Sequence, residues 1–287
     1  MMKILITGHK GFVGKYFMRK YADHEIVGID IKEGNDCRDY FKTSDDRFDL
    51  VIHLAAIVGG RQTIEHNPLS VATDLSIDSE MCQWALRTKP TRIIYFSSSA
   101  AYPTKLQTQK YQLKETDIDL SDISNPDMTY GWSKLTGEFL MQFLEAEGIK
   151  TNIFRPFSGY GTDQDLDYPF PSYIDRARNL ADPFDIWGDG NQVRDFIHMH
   201  DIVEAVDKTI QEDIQGPVNL GWGIATSFNE LFELVTSLKG YKATPNHIPT
   251  APVGVQYRVC DPSKMLSFYT PKITLEEGIT RALRGEV

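Results

Sequence analysis

The stretch KILITGHKGFVGKYF, residues 3–17, decides the fold. A short, mainly apolar run breaks off at Gly8, and Gly8, Gly11 and Gly14 lead into a segment with helical spacing. Glycines placed there let the chain turn tightly at a strand end. They also let the backbone approach a pyrophosphate at the next helix N-terminus, where unpaired N–H groups and the helix dipole favour negative charge. About 20 residues further on, the run EIVGID ends in Asp30, whose carboxylate can accept from both hydroxyls of a ribose. Such a carboxylate repels a 2′-phosphate, so NAD is expected in preference to NADP, with Lys10 as the opposing cation. Contacts to the dinucleotide are expected at Gly8, Gly11, Phe12, Val13, Gly14, Asp30 and Ile31, and further along at Asp36, Cys37, Leu54, Ala55, Ala56, Ser97, Tyr130, Lys134 and Pro156.

Working outward, LVIHLAA (50–56), RIIYFSS (92–98) and GIKTNIFRP (148–156) repeat the pattern of a short apolar run, separated by helical segments such as SIDSEMCQWALR (76–87). Buried parallel strands joined by helical crossovers satisfy that alternation. The expected fold class is α/β, a Rossmann-type doubly wound parallel sheet with a smaller C-terminal substrate lobe. Residues 1–155 should be mainly the NAD-binding domain. Residues 156–287, where prolines 156, 169, 171 and 183 loosen the pattern, should be mainly the substrate lobe, interleaved with further strands of the sheet. LEEGITRALRGE (275–286) reads as a closing helix, and the polar stretch 104–127 as the likeliest mobile loop.

Composition narrows the partners. With 287 residues, 41% hydrophobic and 24% charged, the chain has the balance of a globular protein with a substantial core. A formal net charge of −10 argues against nucleic acid as a partner, because phosphate backbones need a basic footprint. No apolar run approaches a membrane span, and MMKILITG reads straight into a strand rather than a signal peptide, so a cytoplasmic protein is expected. Cys37, Cys82 and Cys260 are too few and scattered for a disulfide framework or a metal site. His198 and His200 lack a third ligand, and no metal is expected.

TYGWSKL, residues 129–135, raises the question of chemistry. On a helix Tyr130 and Lys134 share a face, one turn apart, which suits either an ordinary amphipathic turn or a proton-transfer device. Four features together, G-x-x-G-x-x-G, His53-Leu54-Ala55-Ala56, FSSSAAYP (96–103) and Tyr130/Lys134, resemble the extended short-chain dehydrogenase/reductase family, whose members mostly act on nucleotide sugars. WGDGNQVRDFIHMHDI (187–202), PVNLGWG (217–223) and CDPSKM (260–265) are similar to that family's substrate-lobe signatures, in the same order, so the likeness covers nearly the whole chain.

The resemblance implies a role for each group, and the chemistry gives the reason. A free tyrosine has a pKa of about 10, so a base near neutrality needs a fall of about 3 units, worth roughly 4 kcal/mol. The ammonium of Lys134 and an oxidised nicotinamide supply attraction of that sign, and Lys134 can hold the nicotinamide ribose. The partner hydroxyl, four residues before Tyr102, is Ser98, with Ser99 next in line. It shares the substrate hydroxyl's hydrogen bond and steadies developing charge. Catalytic residues are therefore expected to be Ser98, Tyr130 and Lys134. Substrate contacts are expected at Ser98, Ser99, Ser158, Arg194 and Arg258, with the Arg194-Asp195 element gripping the diphosphate through a forked guanidinium.

Absences restrict the reaction. Dehydrating relatives follow the catalytic hydroxyl with Asp-Glu, where this chain has Ser99-Ala100, and the Glu usual in decarboxylating relatives is missing too. FSSSAAYP and AAIVGG (55–60) are similar to segments of GDP-fucose synthases and GDP-mannose 3,5-epimerases. Those enzymes use a Cys near the strand end, where Ala100 stands here, which disfavours epimerisation at C3 or C5. Two departures from the family pattern are Asp74, six residues after Pro68, and Ser158, each where Asn is usual. The expected function is an NAD-dependent nucleotide-sugar 4-epimerase acting through a transient 4-ketosugar. The alternatives are a 4-ketoreductase using NAD(P)H or, of another class, a non-catalytic dinucleotide-binding sensor or scaffold, which has little need of the Tyr-Lys pair. By analogy with relatives, a homodimer is expected through helices at about 75–88 and 130–147, with Met81, Trp84, Phe139 and Phe143 as candidate contacts.

Overall fold

The structure is a computed structural model that describes residues 1–57 and 67–286, so Val58, Gly59 and Gly60 of the AAIVGG run lie outside the described residues. The first half of the chain forms β1 (Lys3–Thr7), α1 (Phe12–Lys20), β2 (Glu25–Ile29), α2 (Cys37–Thr43), β3 (Leu50–His53), α3 (Ala72–Thr88), β4 (Arg92–Phe96), β5 (Gln112–Leu113) and α4 (Met128–Ala146). The second half forms β6 (Lys150–Pro156), β7 (Ser158–Tyr160), α5 (Pro169–Arg178), β8 (Phe184–Trp187), β9 (Val193–Arg194), β10 (Phe196–His198), α6 (Met199–Gln211), β11 (Val218–Leu220), β12 (Thr226–Ser227), α7 (Phe228–Lys239), β13 (Pro245–Ile248), β14 (Tyr257–Cys260), α8 (Ser263–Leu266) and α9 (Leu275–Arg284).

Six of these strands make one parallel sheet in the order β2-β1-β3-β4-β6-β11. The strands are apolar throughout because both sheet faces are covered. Ile4, Ile6, Leu50, Ile52, Ile94 and Phe96 pack with Phe17 of α1 and Ile202 of α6. The alternate residues Leu5, Val51, Ile93 and Tyr95 pack on the other side with Phe41 of α2, Trp84 of α3 and Met141 of α4. Each such buried side chain contributes about 2 kcal/mol relative to exposure. Chain direction across the sheet reverses between β1 and β3, and the crevice outside their carboxyl ends is where such sheets receive ligands.

A separate core joins α5, α7 and α9 around Tyr173, Phe184, Phe228 and Ile279. Local signals set these helices. Ser227 and Glu230 form a reciprocal capping box at the start of α7, and Gly240 closes it in the left-handed conformation at φ +80°. Thr274 caps α9, which begins where expected but stops at Arg284, two residues short of the LEEGITRALRGE stretch, because Gly285 turns left-handed at φ +77°.

The segment 104–127 differs from the mobile loop expected. Its β5 pairs with β14, and Arg155 Nη1 donates to the Glu115 carbonyl at 2.8 Å. Asn219 adds two more ties, from its N to Glu115 Oε1 and from its Nδ2 to the Leu113 carbonyl, both 2.9 Å. The polar residues that read as loop are its anchoring partners. Met81 and Trp84 are likewise corrected as candidate dimer contacts. Both are 0% exposed, because α3 is wedged between α2, α4 and the sheet. Phe139 and Phe143 lie outward on α4, 42% and 57% exposed, in line with Trp132.

Candidate active site

A cavity of about 910 Å³ opens between the carboxyl ends of β1, β3, β4 and β6 and the smaller helical lobe. At one end lie Gly8, Gly11, Phe12, Val13, Gly14, Asp30, Ile31, Asp36, Cys37, Leu54, Ala55 and Ala56, with Ser97, Ser98, Tyr130, Lys134 and Pro156 at the centre. Ser99, Ser158, Arg194 and Arg258 also line it.

The dinucleotide end is made of backbone. Gly8 has φ +73°, and a Cβ on Gly14 would lie 2.3 Å from the Gly8 carbonyl oxygen, so the first turn of α1 presses directly on the loop. Gly11 caps α1 without a side chain, and the first turn carries no acidic residue, which leaves the helix end suited to a diphosphate. Asp30 accepts from Lys10 N at 2.8 Å and from Lys32 N at 2.9 Å, one bond to each oxygen, and each oxygen retains a further acceptor position for a ribose hydroxyl. Lys10 Nζ is paired with Glu33 at 2.9 Å, so a 2′-phosphate there would meet two carboxylates. Asp36 is held below the ordinary carboxylate range by Arg38, and burial pushes the Cys37 thiol up to about 12, which makes it inert at neutral pH. The residues present fit NAD.

At the centre, α4 brings Tyr130 and Lys134 to one face, with Lys134 Nζ 5.8 Å from the centre of the Tyr130 ring and 5.4 Å from that of Tyr95. Ser98 follows β4, accepts from Ala100 N at 3.1 Å, and is hydrogen-bonded to the Tyr130 phenol. Its two neighbours go elsewhere. The Ser97 hydroxyl donates to Glu138 in the core, and Ser99 is buried at the cavity wall. Burial pushes the Tyr130 phenol above its ordinary range, and the negative charge of Asp74 adds to this, while the Ser98 hydrogen bond and Arg258 pull it down. A base at Tyr130 therefore needs the positive charge of both Lys134 and an oxidised nicotinamide to offset burial.

At the other end, β9 and β14 run parallel with Arg194 opposite Arg258. Arg194 Nη1 donates to the carbonyls of Val193 and Val255 at 2.9 and 2.8 Å, and its guanidinium lies 5.5 Å from the Phe228 ring. Arg258 donates to Gln107 Oε1 at 2.7 Å and to Asp127 Oδ2 at 2.6 Å. Asp195, expected to share the diphosphate grip, is instead fully buried and accepts from the N–H groups of Trp222, Gly223 and Cys260. Ser158 donates its N–H to the Asp195 carbonyl at 2.8 Å within the cavity wall. His198 caps α6, its Nδ1 accepting from His200 N at 3.1 Å.

Sequence reading missed Tyr168 and Arg176, which also line the cavity. Their spacing carries no pattern, since α5 is brought to the cavity by the packing of the lobe. Asp74 was visible as a departure from the family pattern, but its place beside Lys134 was not.

The model of the NAD dependent epimerase/dehydratase family matches residues 4–221, and the chain belongs to this family. NAD is its cofactor, and the family is one of nucleotide-sugar epimerases and reductases. The chain is 30% identical to GDP-mannose 3,5-epimerase of Arabidopsis thaliana over 97% of its own length and 80% of that protein's. Its fold is that of a UDP-glucose 4-epimerase of Thermus thermophilus solved in complex with NAD, at 20% identity, with TM-score 0.84 and 100% of both chains covered. A GDP-6-OMe-4-keto-L-xylo-heptose reductase from C. jejuni gives the same TM-score of 0.84 at 19% identity, over 99% of this chain and 96% of that one.

Proposed function

We propose that the protein is a nucleotide-sugar 4-epimerase. The observation that carries this reading is the Ser98–Tyr130–Lys134 cluster facing a large cavity with no thiol on its substrate side. Among the described residues, the thiol lining the cavity is Cys37, at the dinucleotide end, and Ala100 stands where 3,5-epimerisation would need a cysteine.

NAD, when bound, supplies the acceptor and donor of hydride. The chain's own groups move the proton and hold the sugar. Tyr130 Oη takes the proton of the C4 hydroxyl, while the Ser98 hydroxyl donates to the developing oxyanion. Lys134 offsets the phenolate charge. Arg194 and Arg258 hold the diphosphate, so that the 4-ketosugar can turn within the cavity; as C4 regains hydride on its opposite face, Tyr130 Oη returns the proton to the C4 oxygen.

The test mixes the protein with NAD and a panel of UDP-, GDP-, CDP- and dTDP-sugars and follows the sugar protons by NMR. Inversion at C4 without net reduced cofactor is the expected result. Turnover only of 4-ketosugars, with stoichiometric loss of NAD(P)H, would replace this reading by a 4-ketoreductase. No turnover in either assay would favour a dinucleotide-binding sensor. The setting we propose is cytoplasmic, in keeping with three free, buried cysteines and the absence, among the described residues, of any helix long and apolar enough to cross a membrane. We also propose a homodimer through the exposed stripe Trp132, Phe139 and Phe143 of α4. Light scattering that found monomers alone would remove the dimer.

A further inference from the structure

The lobe side of the cavity carries a cation to which the chemistry above gives no task. The Arg194 guanidinium lies 5.5 Å from the Phe228 ring, which is 6.1 Å from that of Tyr173. The guanidinium of Arg176, in the last turn of α5, lies 5.7 Å from the rings of both Tyr173 and Phe184. Tyr173, Phe184 and Phe228 belong to the core of the lobe, so this chain of contacts leads from Arg194 away from the sheet that carries Ser98 and Tyr130. Arg176 and Tyr173 both line the cavity. Among the described residues, Arg176 makes these ring contacts but no hydrogen bond or ion pair, and the buried Tyr173 hydroxyl has no partner. Both groups can donate, and neither has an acceptor.

A nucleotide sugar is a rod of sugar, diphosphate, ribose and base. With the sugar at Tyr130 and the diphosphate at Arg194, the base is the part left to meet the lobe side. We propose that Arg176 reads that base and selects guanine, which makes GDP-sugars the substrate class. This rests on the reading of Arg194 as the diphosphate clamp and holds for either direction of hydride transfer. A guanidinium edge offers two parallel N–H donors and no acceptor. The outer edge of guanine presents two adjacent acceptors, O6 and N7. Uracil and thymine offer one carbonyl beside a carbon, adenine sets N7 beside an amino donor, and cytosine presents an amino donor. Of these bases, guanine alone meets both prongs. The rings of Tyr173 and Phe184 pack against the guanidinium and restrict its plane, which leaves its donors for the ligand.

The experiment saturates the full chain with NAD, which fills the dinucleotide end, and measures binding of GDP, UDP, CDP and dTDP by calorimetry. GDP is expected to bind about tenfold or more tightly than the other three. 7-Deaza-GDP, in which a C–H replaces N7, should lose most of that margin. In Arg176→Gln, GDP should weaken to the level of UDP, while UDP itself changes less than about threefold. UDP or 7-deaza-GDP binding as tightly as GDP to the unsubstituted chain would overturn the proposal. So would an equal loss for all four ligands in Arg176→Gln, which would make Arg176 a further diphosphate contact. Should the variant not fold, the 7-deaza comparison on the unsubstituted chain decides. None of these measurements needs turnover. A preference for GDP without C4 inversion of any GDP-sugar would uphold the proposal and sink the epimerase, whereas inversion of a UDP-sugar by a chain that binds GDP and UDP alike would do the reverse.

Discussion

At the Gly8–Gly14 end of the cavity the ligand faces backbone, held by main-chain bonds such as Gly11 N to the Gly8 carbonyl and, from the neighbouring strand, Gly8 N to the Ile29 carbonyl at 2.8 Å. At the Arg194–Arg258 end it faces long side chains pinned by partners far along the chain. Arg194 reaches Val253 and Val255, 59 and 61 residues away, and Arg258 reaches Gln107 and Asp127, 151 and 131 residues away. A backbone cradle needs only small residues at fixed offsets, whereas a side-chain clamp needs the whole fold to bring its parts together. The ends should therefore respond differently to substitution, and Tyr130, between them, should respond differently from both.

Removing the Tyr130 hydroxyl separates the centre from both ends. Tyr130→Phe should lower kcat about a thousandfold or more, while NAD affinity, measured by calorimetry, stays within about twofold. Turnover near that of the unsubstituted protein would sink the mechanism. Weakened NAD binding would show that the centre and the dinucleotide end are one unit.

Gly14→Ala attacks the backbone end alone. The added Cβ meets the Gly8 carbonyl at 2.3 Å and His9 Cα at 2.6 Å, both main-chain atoms that cannot swing aside. Overpacking of this kind costs about 1–3 kcal/mol, and the displaced loop should lose up to about a hundredfold in NAD affinity. Binding of a nucleoside diphosphate at the arginine end should be unchanged. Equal losses for both ligands would erase the distinction between the ends.

The same distinction explains what the sequence made legible. Glycine spacing, Asp30 after β2, and the four-residue offset of Tyr130 and Lys134 are local, so the sheet and the shared face of Tyr130 and Lys134 could be read from strings of residues. Arg194 was legible as a cation but not in its partners, because those lie in the 253–255 loop and their approach depends on β9 pairing with β14. Asp195 was misread for the same reason. Only the folded chain shows that the turn at Trp222 and Gly223 surrounds it with N–H donors. The apolar residues of α3 and α4 looked equivalent in sequence. Sandwiching of α3 buries Met81 and Trp84, and the outer position of α4 leaves Phe139 and Phe143 in water.

Near the arginine end, two buried titratable groups give the fold opposing pH signatures. Burial raises Asp195 to about 6, so the fold holds that proton after an unfolded chain has lost it. The stabilisation is full below about pH 4 and is lost as pH rises through 6. Burial lowers His198 to about 4, and its contribution is full above about pH 6.5 and is lost as pH falls through 4. Each is worth roughly 3 kcal/mol, so the two offset across this window. His198→Asn keeps an N-capping side chain but removes one of the pair. Denaturant melts at pH 4.5 and 6.5 should then show stability shifted toward the acid side by about 2 kcal/mol relative to the unsubstituted chain. No shift would mean that His198 titrates as it does in the unfolded chain.

The smallest effect distinguishes a clamp from a brace. Arg258 makes two bonds in different directions, from Nε to Gln107 and from Nη2 to Asp127, and so ties β14 to the segment after β4. If it also grips the diphosphate, Arg258→Lys keeps the charge but loses the fork, and KM should rise about fivefold, near 1 kcal/mol, with kcat unchanged. A brace alone would instead lower the melting temperature and leave KM where it was. The carboxylate of Asp127, 8% exposed, can still be met by lysine, which keeps the loss of stability small enough for the two outcomes to be told apart. A rise in KM without a fall in melting temperature would assign the clamp to Arg258.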